Sequence, residues 1–476
     1  MTLRFDPEGI ERFKAEIRGI PGYPAGEDLP IREMIFESGA LWRLPNLLLL
    51  AGMKAGQPLS VVMDRTSMKR EGADLKSLIL EQLQSAGWQV DVIWLEADIT
   101  GQVHTDFSQI NYVKARLQAN SGILSVGSGT VTDIAKHACH VYQQEHAIGP
   151  LPFIVYQTAN SVSAYTSNMA PTFVDGVKRT LPSRYPDVLV CDLETLRDAP
   201  QAMTVAGVGD LLASFGSYAD WWLAYRLGLD NTYTEFAQNL MGPLDEIFLE
   251  QAEALQMGTL ESMSVLAKLI ALAGLAMSLS HATAPLSGYE HVISHVLDLV
   301  AEQNQRPLAQ HGTQVALATR LTTTAYRIFL DEFEPAEVNL ENCYPTEVQM
   351  RARLEASFNP LDPTGRVAAE CWSEYKIKLE AWHTHRPDFE AALQDWPNIR
   401  TQLRSLVKPP ELTARILRAV ASPLRFAELI PPPSAAEVQF AFTNASLIRH
   451  RLTLGDLFVF LNWDQETLWA QVNENL

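Results

Sequence analysis

The chain has 476 residues, of which 47% are apolar and 20% charged, and a net charge of −19. The length suggests two to three domains of about 150 residues each, and the apolar content is enough for large cores, which argues against a disordered chain. An acidic surface with no basic tract argues against nucleic acid and anionic membranes as partners, and it obliges an anionic substrate to find local Lys or Arg.

The first half alternates short apolar strands with amphipathic helices. Leu59–Met63 reads as a buried strand, and Asp74–Ala86 as a helix with Asp74 as its N-cap. Further strands are expected at Val90–Leu95, Ile123–Val126, Phe153–Tyr156 and Val188–Cys191. Strands alternating with helices predict an open, mostly parallel sheet covered on both faces. Beyond about residue 200 only helical periodicity remains. Helices are predicted at Met203–Leu227, Asp245–Met257, Leu260–Leu279 and Gln314–Leu330, with several more between Arg366 and Gly455. Leu429–Ser434, rich in proline, reads as the loop before a helix. The chain is therefore read as an α/β nucleotide-binding domain over 1–200 and an all-helical domain over 201–476.

Cys139, Cys191, Cys343 and Cys371 are far apart and include no Cys-x-x-Cys pair, which suits a reducing compartment. The N-terminus carries no apolar signal core. The most apolar stretch, Met263–Leu279, is interrupted by Lys268 and falls short of the ~18 residues of a membrane span. It reads as a buried core helix, and a cytoplasmic location is expected.

Gly127-Ser128-Gly129, with Asp133 beyond it, follows a strand and opens a helix. Glycine lets the backbone approach a pyrophosphate, and the N–H groups of the helix's first turn hold its charge. The third glycine of the dinucleotide fingerprint is absent, so a plain strand-to-helix turn fits equally well. Asp64, at the end of the first predicted strand, can accept hydrogen bonds from an adenosine ribose and would repel a 2′-phosphate, which favours NAD. Arg65 and Lys69 lie near enough to admit NADP, and an aspartate here can also simply cap a turn.

Three further positions carry metal-binding chemistry. Asp210 ends Ala206-Gly-Val-Gly-Asp210. His291 and His295 stand four residues apart, on one helix face, and His311 opens His311-Gly312. Aspartate with two histidines suits a borderline divalent ion, and three ligands leave a position open for substrate. Two sets compete: the pair His291 and His295, or His291 with Asp210 and His311. His281 belongs to neither pattern and is read as structural.

The order of these motifs resembles the superfamily of iron-containing alcohol dehydrogenases, glycerol dehydrogenases and dehydroquinate synthases. Within it the similarity is greatest to glycerol-1-phosphate dehydrogenases. It runs over about residues 30 to 460 and is carried by Pro186–Asp192, Ala199-Pro200, Ala206–Asp210, Asp220-Trp221, Ser287–His291 and Ile448–Thr453.

The resemblance implies a dehydroquinate synthase-like fold, with a Rossmann-like N-terminal domain. It implies one divalent metal, zinc or else nickel or iron, on Asp210, His291 and His311, with His295 as a nearby proton-handling group. It places NAD or NADP on Gly127, Ser128, Gly129 and Asp133, with Thr158 and Ser161 toward the nicotinamide. Ser214 stands where four-ligand iron enzymes carry His and dehydroquinate synthases Lys, which favours three ligands.

The implied reaction is reversible hydride transfer between glycerol 1-phosphate and dihydroxyacetone phosphate, or a related small alcohol and ketone, in a homo-oligomer. The sequence also departs from the family pattern. Ser163 replaces an aspartate. Ala284 replaces an arginine able to bind phosphate, for which Lys178 or Arg179 are candidate substitutes. These departures keep two other readings open: a cyclase or lyase that recycles NAD internally, and a relative that binds nucleotide without turnover.

Overall fold

A computed structural model describes residues 3–475, and the chain packs as two compact units. The first comprises 3–174, Lys178–Leu211 and Glu235–Leu279, and the second Asp175–Val177, Leu212–Thr234 and 280–475.

The first unit holds the sheet. Its strands, with two short ribbons, are β1 (Glu33–Glu37), β2 (Pro58–Met63), β3 (Lys69–Arg70), β4 (Ala73–Asp74), β5 (Gln89–Trp94), β6 (Gly122–Gly127), β7 (Phe153–Gln157), β8 (Met169–Val174), β9 (Val177–Pro182) and β10 (Val188–Asp192). Six of them form one sheet in the order β1-β10-β7-β6-β2-β5, with every pair parallel. All five predicted strands are present.

β1 and the β3-β4 and β8-β9 ribbons are additional. β1 has only three buried residues, Met34, Ile35 and Phe36, between two glutamates, too short a run to stand out in the sequence.

The period of two divides the side chains between the sheet's faces. Leu59, Val61 and Met63 join Leu124, Val126, Ile154, Tyr156, Val188 and Val190 in one core beneath helices Ala40–Leu50 and Leu75–Ser85. Asp74 caps the second of these helices, accepting from Ser77 N at 2.8 Å. Helix Gly129–His146 packs against β6, β2 and β7.

A buried ion pair closes the end of β10. The Asp192 carboxylate accepts from Arg70 Nε at 2.7 Å, Leu41 N at 2.9 Å and Thr195 N at 3.0 Å. One carboxylate thus ties a strand end, two helix starts and the β3-β4 ribbon together.

Helix Leu260–Leu279 runs to 20 residues with mean hydropathy 1.8, so its length and composition alone would allow a membrane span, contrary to the shorter stretch read from sequence. Packing decides its role. Within its most apolar 18-residue window 83% is buried inside the protein, against β1 and helices Leu193–Asp198, Gln201–Leu211, Phe236–Met241 and Leu244–Met257. These contacts also place residues 235–279 with the sheet, whereas the sequence put everything beyond 200 in a second domain.

The second unit is helical. Helix Tyr289–Gln303 lies at its centre, against helices Ser214–Arg226, His311–Glu332 and Ala435–Asn444. The predicted helix Met203–Leu227 is in fact two, Gln201–Leu211 and Ser214–Arg226, separated at Leu212-Ala213. Neither Gly nor Pro marks that break, and apolar residues continue through it. Ser434 opens helix Ala435–Asn444 with a capping box to Glu437, as the proline-rich stretch before it led us to expect.

Replacing Asp192 by Ala removes the buried partner of Arg70, which keeps Glu194 and Glu71, and strands the buried N–H groups of Leu41 and Thr195. We expect a loss of about 2–4 kcal/mol, read as a lowered midpoint in urea denaturation.

Candidate active site

Parallel strands bring all their C-terminal ends to one edge of the sheet. β2 and β6 are neighbours, yet the chain leaves β2 toward β5 and leaves β6 toward β7. Loops that diverge in this way open a crevice where nucleotides bind in folds of this kind. Asp64 follows β2, Gly127-Ser128-Gly129 ends β6, and Thr158 and Ser161 follow β7. The structure thus collects six of the seven predicted cofactor residues at one sheet edge.

The two glycines are sterically required. A Cβ on Gly127 would lie 2.4 Å from Val131 Cβ, and one on Gly129 would lie 2.3 Å from Val162 Cγ2. Thr158 N donates to Gly127 O at 3.2 Å, which joins the loops after β6 and β7. Ser128 is the N-cap of helix Gly129–His146 but makes no side-chain cap bond, so its hydroxyl does not occupy the first-turn N–H groups.

Two of the candidates have structural partners. Asp133, the seventh, is buried inside that helix with its carboxylate 2.8 Å from Lys136 Nζ. Burial pushes its pKa up to about 6 against the pull of Lys136. Lys136 in turn donates to Ala164 O at 2.9 Å and Ser167 O at 3.1 Å, fastening the loop after β7. Asp64 does cap its turn, accepting from Thr66 Oγ1 at 2.7 Å and Lys76 Nζ at 2.8 Å. Arg65 is engaged by Glu96 at 2.7–3.0 Å.

The three histidines converge. His291 and His295 lie on helix Tyr289–Gln303, and His311 begins helix His311–Glu332. The His291 and His311 rings are 5.3 Å apart at 68°, and His295 stacks on His311 at 5.6 Å and 11°. Asp210 lies in the last turn of helix Gln201–Leu211. Among the described residues, one ligand atom each from Asp210, His291 and His311 lies within 4.8 Å of the others.

That group fits a divalent metal by its donors and by their supports. His291 Nδ1 is 3.3 Å from Glu290 Oε1, and His311 Nδ1 is 3.1 Å from Ser294 Oγ. With Nδ1 as donor in each pair, Nε2 carries the lone pair that a metal takes. Ser163 donates from both N and Oγ to Asp210 Oδ2, each at 3.1 Å. So the serine that replaces the family's aspartate holds the carboxylate of Asp210, a candidate ligand. His295 differs, because its Nδ1 is 3.2 Å from Arg449 Nη2. Arginine can only donate, so Nδ1 accepts and the proton sits on Nε2.

Sequence reasoning had left Glu290, Ser294, Ser163 and Arg449 without a role. Three of them carried a signal: Glu290 in the Gly-x-Glu-His motif, Ser163 as the replacement of an aspartate, and Arg449 within Ile448–Thr453; Ser294 carried none.

One carboxylate fixes the helices that present these groups. Asp220, buried on helix Ser214–Arg226, accepts from Tyr289 N at 2.7 Å, Tyr326 OH at 2.5 Å and Leu454 N at 2.8 Å. Burial, then the nearby Glu290, raises its pKa to about 7. Gly288 admits this approach, since a Cβ there would lie 2.6 Å from Asp220 Oδ2. Replacing Asp220 by Ala strands three buried donors. The expected cost exceeds about 3 kcal/mol, with bound metal lost as well, and thermal denaturation with elemental analysis would measure both.

The iron-containing alcohol dehydrogenase family matches residues 35–200. The glycerol-1-phosphate dehydrogenase [NAD(P)+] of Bacillus subtilis is 31% identical over 323 residues, covering 67% of this chain and 75% of that protein. The enzyme of the same name from Pyrococcus horikoshii is 26% identical over 288 residues, covering 60% and 76%. Among solved structures, an iron-containing alcohol dehydrogenase from Thermotoga maritima has a TM-score of 0.54 at 12% identity, over 94% of this chain and 98% of that one. An alcohol dehydrogenase from Oenococcus oeni has the same TM-score at 13% identity, over 93% and 98%. The chain belongs to the glycerol-1-phosphate dehydrogenase family, within the iron-containing alcohol dehydrogenases, and is an oxidoreductase of that type.

Proposed function

We propose that this chain catalyses reversible, metal-dependent hydride transfer between NAD(P)H and dihydroxyacetone phosphate, giving glycerol 1-phosphate. The observation that carries this reading is the group Asp210, His291 and His311 with His295 stacked beside it. A divalent ion bound there would act as a Lewis acid on the substrate oxygen. Two imidazoles and one carboxylate suit zinc, with nickel or iron as the alternatives.

The chain's own residues supply the rest. Gly127 and Gly129 keep the backbone low beneath a nucleotide pyrophosphate, and the N–H groups of the first helical turn take up its charge. Thr158 and Ser161 border the same sheet edge on the nicotinamide side. Asp133 acts beneath the cofactor turn through Lys136. Asp64 is assigned to the adenosine ribose. His295, with its proton kept on Nε2 by its Arg449 bond, donates a hydrogen bond to the substrate oxygen and steadies the charge that develops there, while water ordered at that ring gives the proton during reduction and takes it up during oxidation. Ser163 favours turnover over a relative that merely binds nucleotide, because it holds Asp210 through two hydrogen bonds. We extend the reading to a cytoplasmic homo-oligomer, with light scattering on the purified protein as the measure of its subunit number.

The test is oxidation of NADH or NADPH with dihydroxyacetone phosphate, alongside metal analysis. His291→Ala should lose metal and turnover together, whereas His295→Ala should keep the metal and lose about 10²- to 10⁴-fold in kcat. Full turnover by metal-free protein would reject the mechanism. Product formation with no net nicotinamide oxidation would favour the cyclase.

A further inference from the structure

The net charge of −19 sets a problem for a phosphorylated substrate, and Ala284, in the 3₁₀ turn Ala284–Leu286, cannot supply a cation. Of the two candidate substitutes, Lys178 lies 5.4 Å from the Phe173 ring, where its charge acts on Asp133, and Arg179 is buried on β9.

The segment Arg449-His450-Arg451 offers another cation. Arg449 follows the 3₁₀ turn Ala445–Ile448 in extended conformation, at φ −136° and ψ 152°. Extended backbone sends alternate side chains to opposite sides. His450 accordingly points out and pairs with Glu374, while Arg449 and Arg451 point in. Arg451 donates to Ser287 O, at the loop before helix Tyr289–Gln303. Arg449 donates to His295 Nδ1 and is 5% exposed. It therefore brings a permanent positive charge to the ring that stacks on His311.

The segment is held in place. Buried Lys378 donates to Ser446 O at 2.5 Å and to Arg451 O at 3.3 Å, and lies 2.7 Å from Asp456 Oδ1. One cation thus grips the backbone on both sides of Arg449. A guanidinium has donors along more than one edge, so it can hold an imidazole and also meet a phosphate in a forked pair.

We propose that Arg449 is the residue that binds the substrate's phosphate, replacing the arginine absent at position 284 and orienting His295 from the same side chain. This rests on the function proposed above, and makes the chain selective for a ketone bearing a phosphate over the same ketone without one.

The experiment compares wild type, Arg449→Gln and Arg449→Lys, each metal-loaded, with dihydroxyacetone phosphate and with unphosphorylated dihydroxyacetone. Binding of inorganic phosphate is measured separately by calorimetry. Arg449→Gln should lower kcat on both substrates alike through His295, but raise KM roughly 10- to 100-fold for the phosphorylated substrate only, and weaken phosphate binding by a similar factor. Arg449→Lys should recover part of both losses. Equal losses of kcat/KM on the two substrates, with metal content and melting temperature unchanged, would make Arg449 a positioning residue for His295 alone and overturn the phosphate assignment. Unchanged phosphate binding in Arg449→Gln, or none in wild type, would overturn it too. A wild type inactive on dihydroxyacetone phosphate that still binds phosphate through Arg449 would instead reject the proposed reaction and keep the anion site.

Discussion

Three helices must meet at one point for the histidines to face one another, and the buried Asp220 carboxylate is that point. It accepts from the first residue of the helix carrying His291 and His295, from a tyrosine on the helix that starts at His311, and from the start of helix Leu454–Phe460. A buried carboxylate is costly unless hydrogen-bonded, and here three donors from three elements offset that cost. The same need fixes the relative positions of the elements. Gly288 belongs to this arrangement, because no side chain fits between its backbone and Asp220.

The histidine cluster shows how surroundings give chemically identical rings different tasks. Glu290 and Ser294 stand at the Nδ1 atoms of His291 and His311, and each is able to take a proton there. Arg449 stands at the Nδ1 of His295 and can only give one. Two rings are thereby suited to ligate through Nε2 and one to donate a hydrogen bond from it. A spacing of four residues places His291 and His295 on one helix face, but it does not distinguish these roles.

Charge is arranged locally against the global field. The protein is strongly acidic, yet a guanidinium is held next to the histidines, with Lys378 gripping the backbone on either side of Arg449. Lys378 has its own carboxylate in Asp456, which also closes the capping box of helix Leu454–Phe460. Positive charge is thus kept in the interior by pairing and hydrogen bonding, where bulk screening is weak.

What the sequence alone determined was the local and periodic part. Runs such as Leu59–Met63 and Ile123–Val126 could only be buried strands, and an apolar helix such as Leu260–Leu279 needed a core. Motifs with close spacing, Gly127 with Gly129 and His291 with His295, were legible for the same reason, since a few residues set the geometry.

Tertiary structure decided what depends on distant partners. The break at Leu212-Ala213 leaves no mark in the composition, and β1 is too short to register by itself. Helix Leu260–Leu279 is assigned to the sheet's unit by its neighbours and not by its position in the chain. Ser163 looked like a loss until its bonds to Asp210 appeared. Arg449 lies 154 residues from His295 in sequence, and no period or motif links them. Residues so far apart act on each other only through packing, which a linear pattern does not encode.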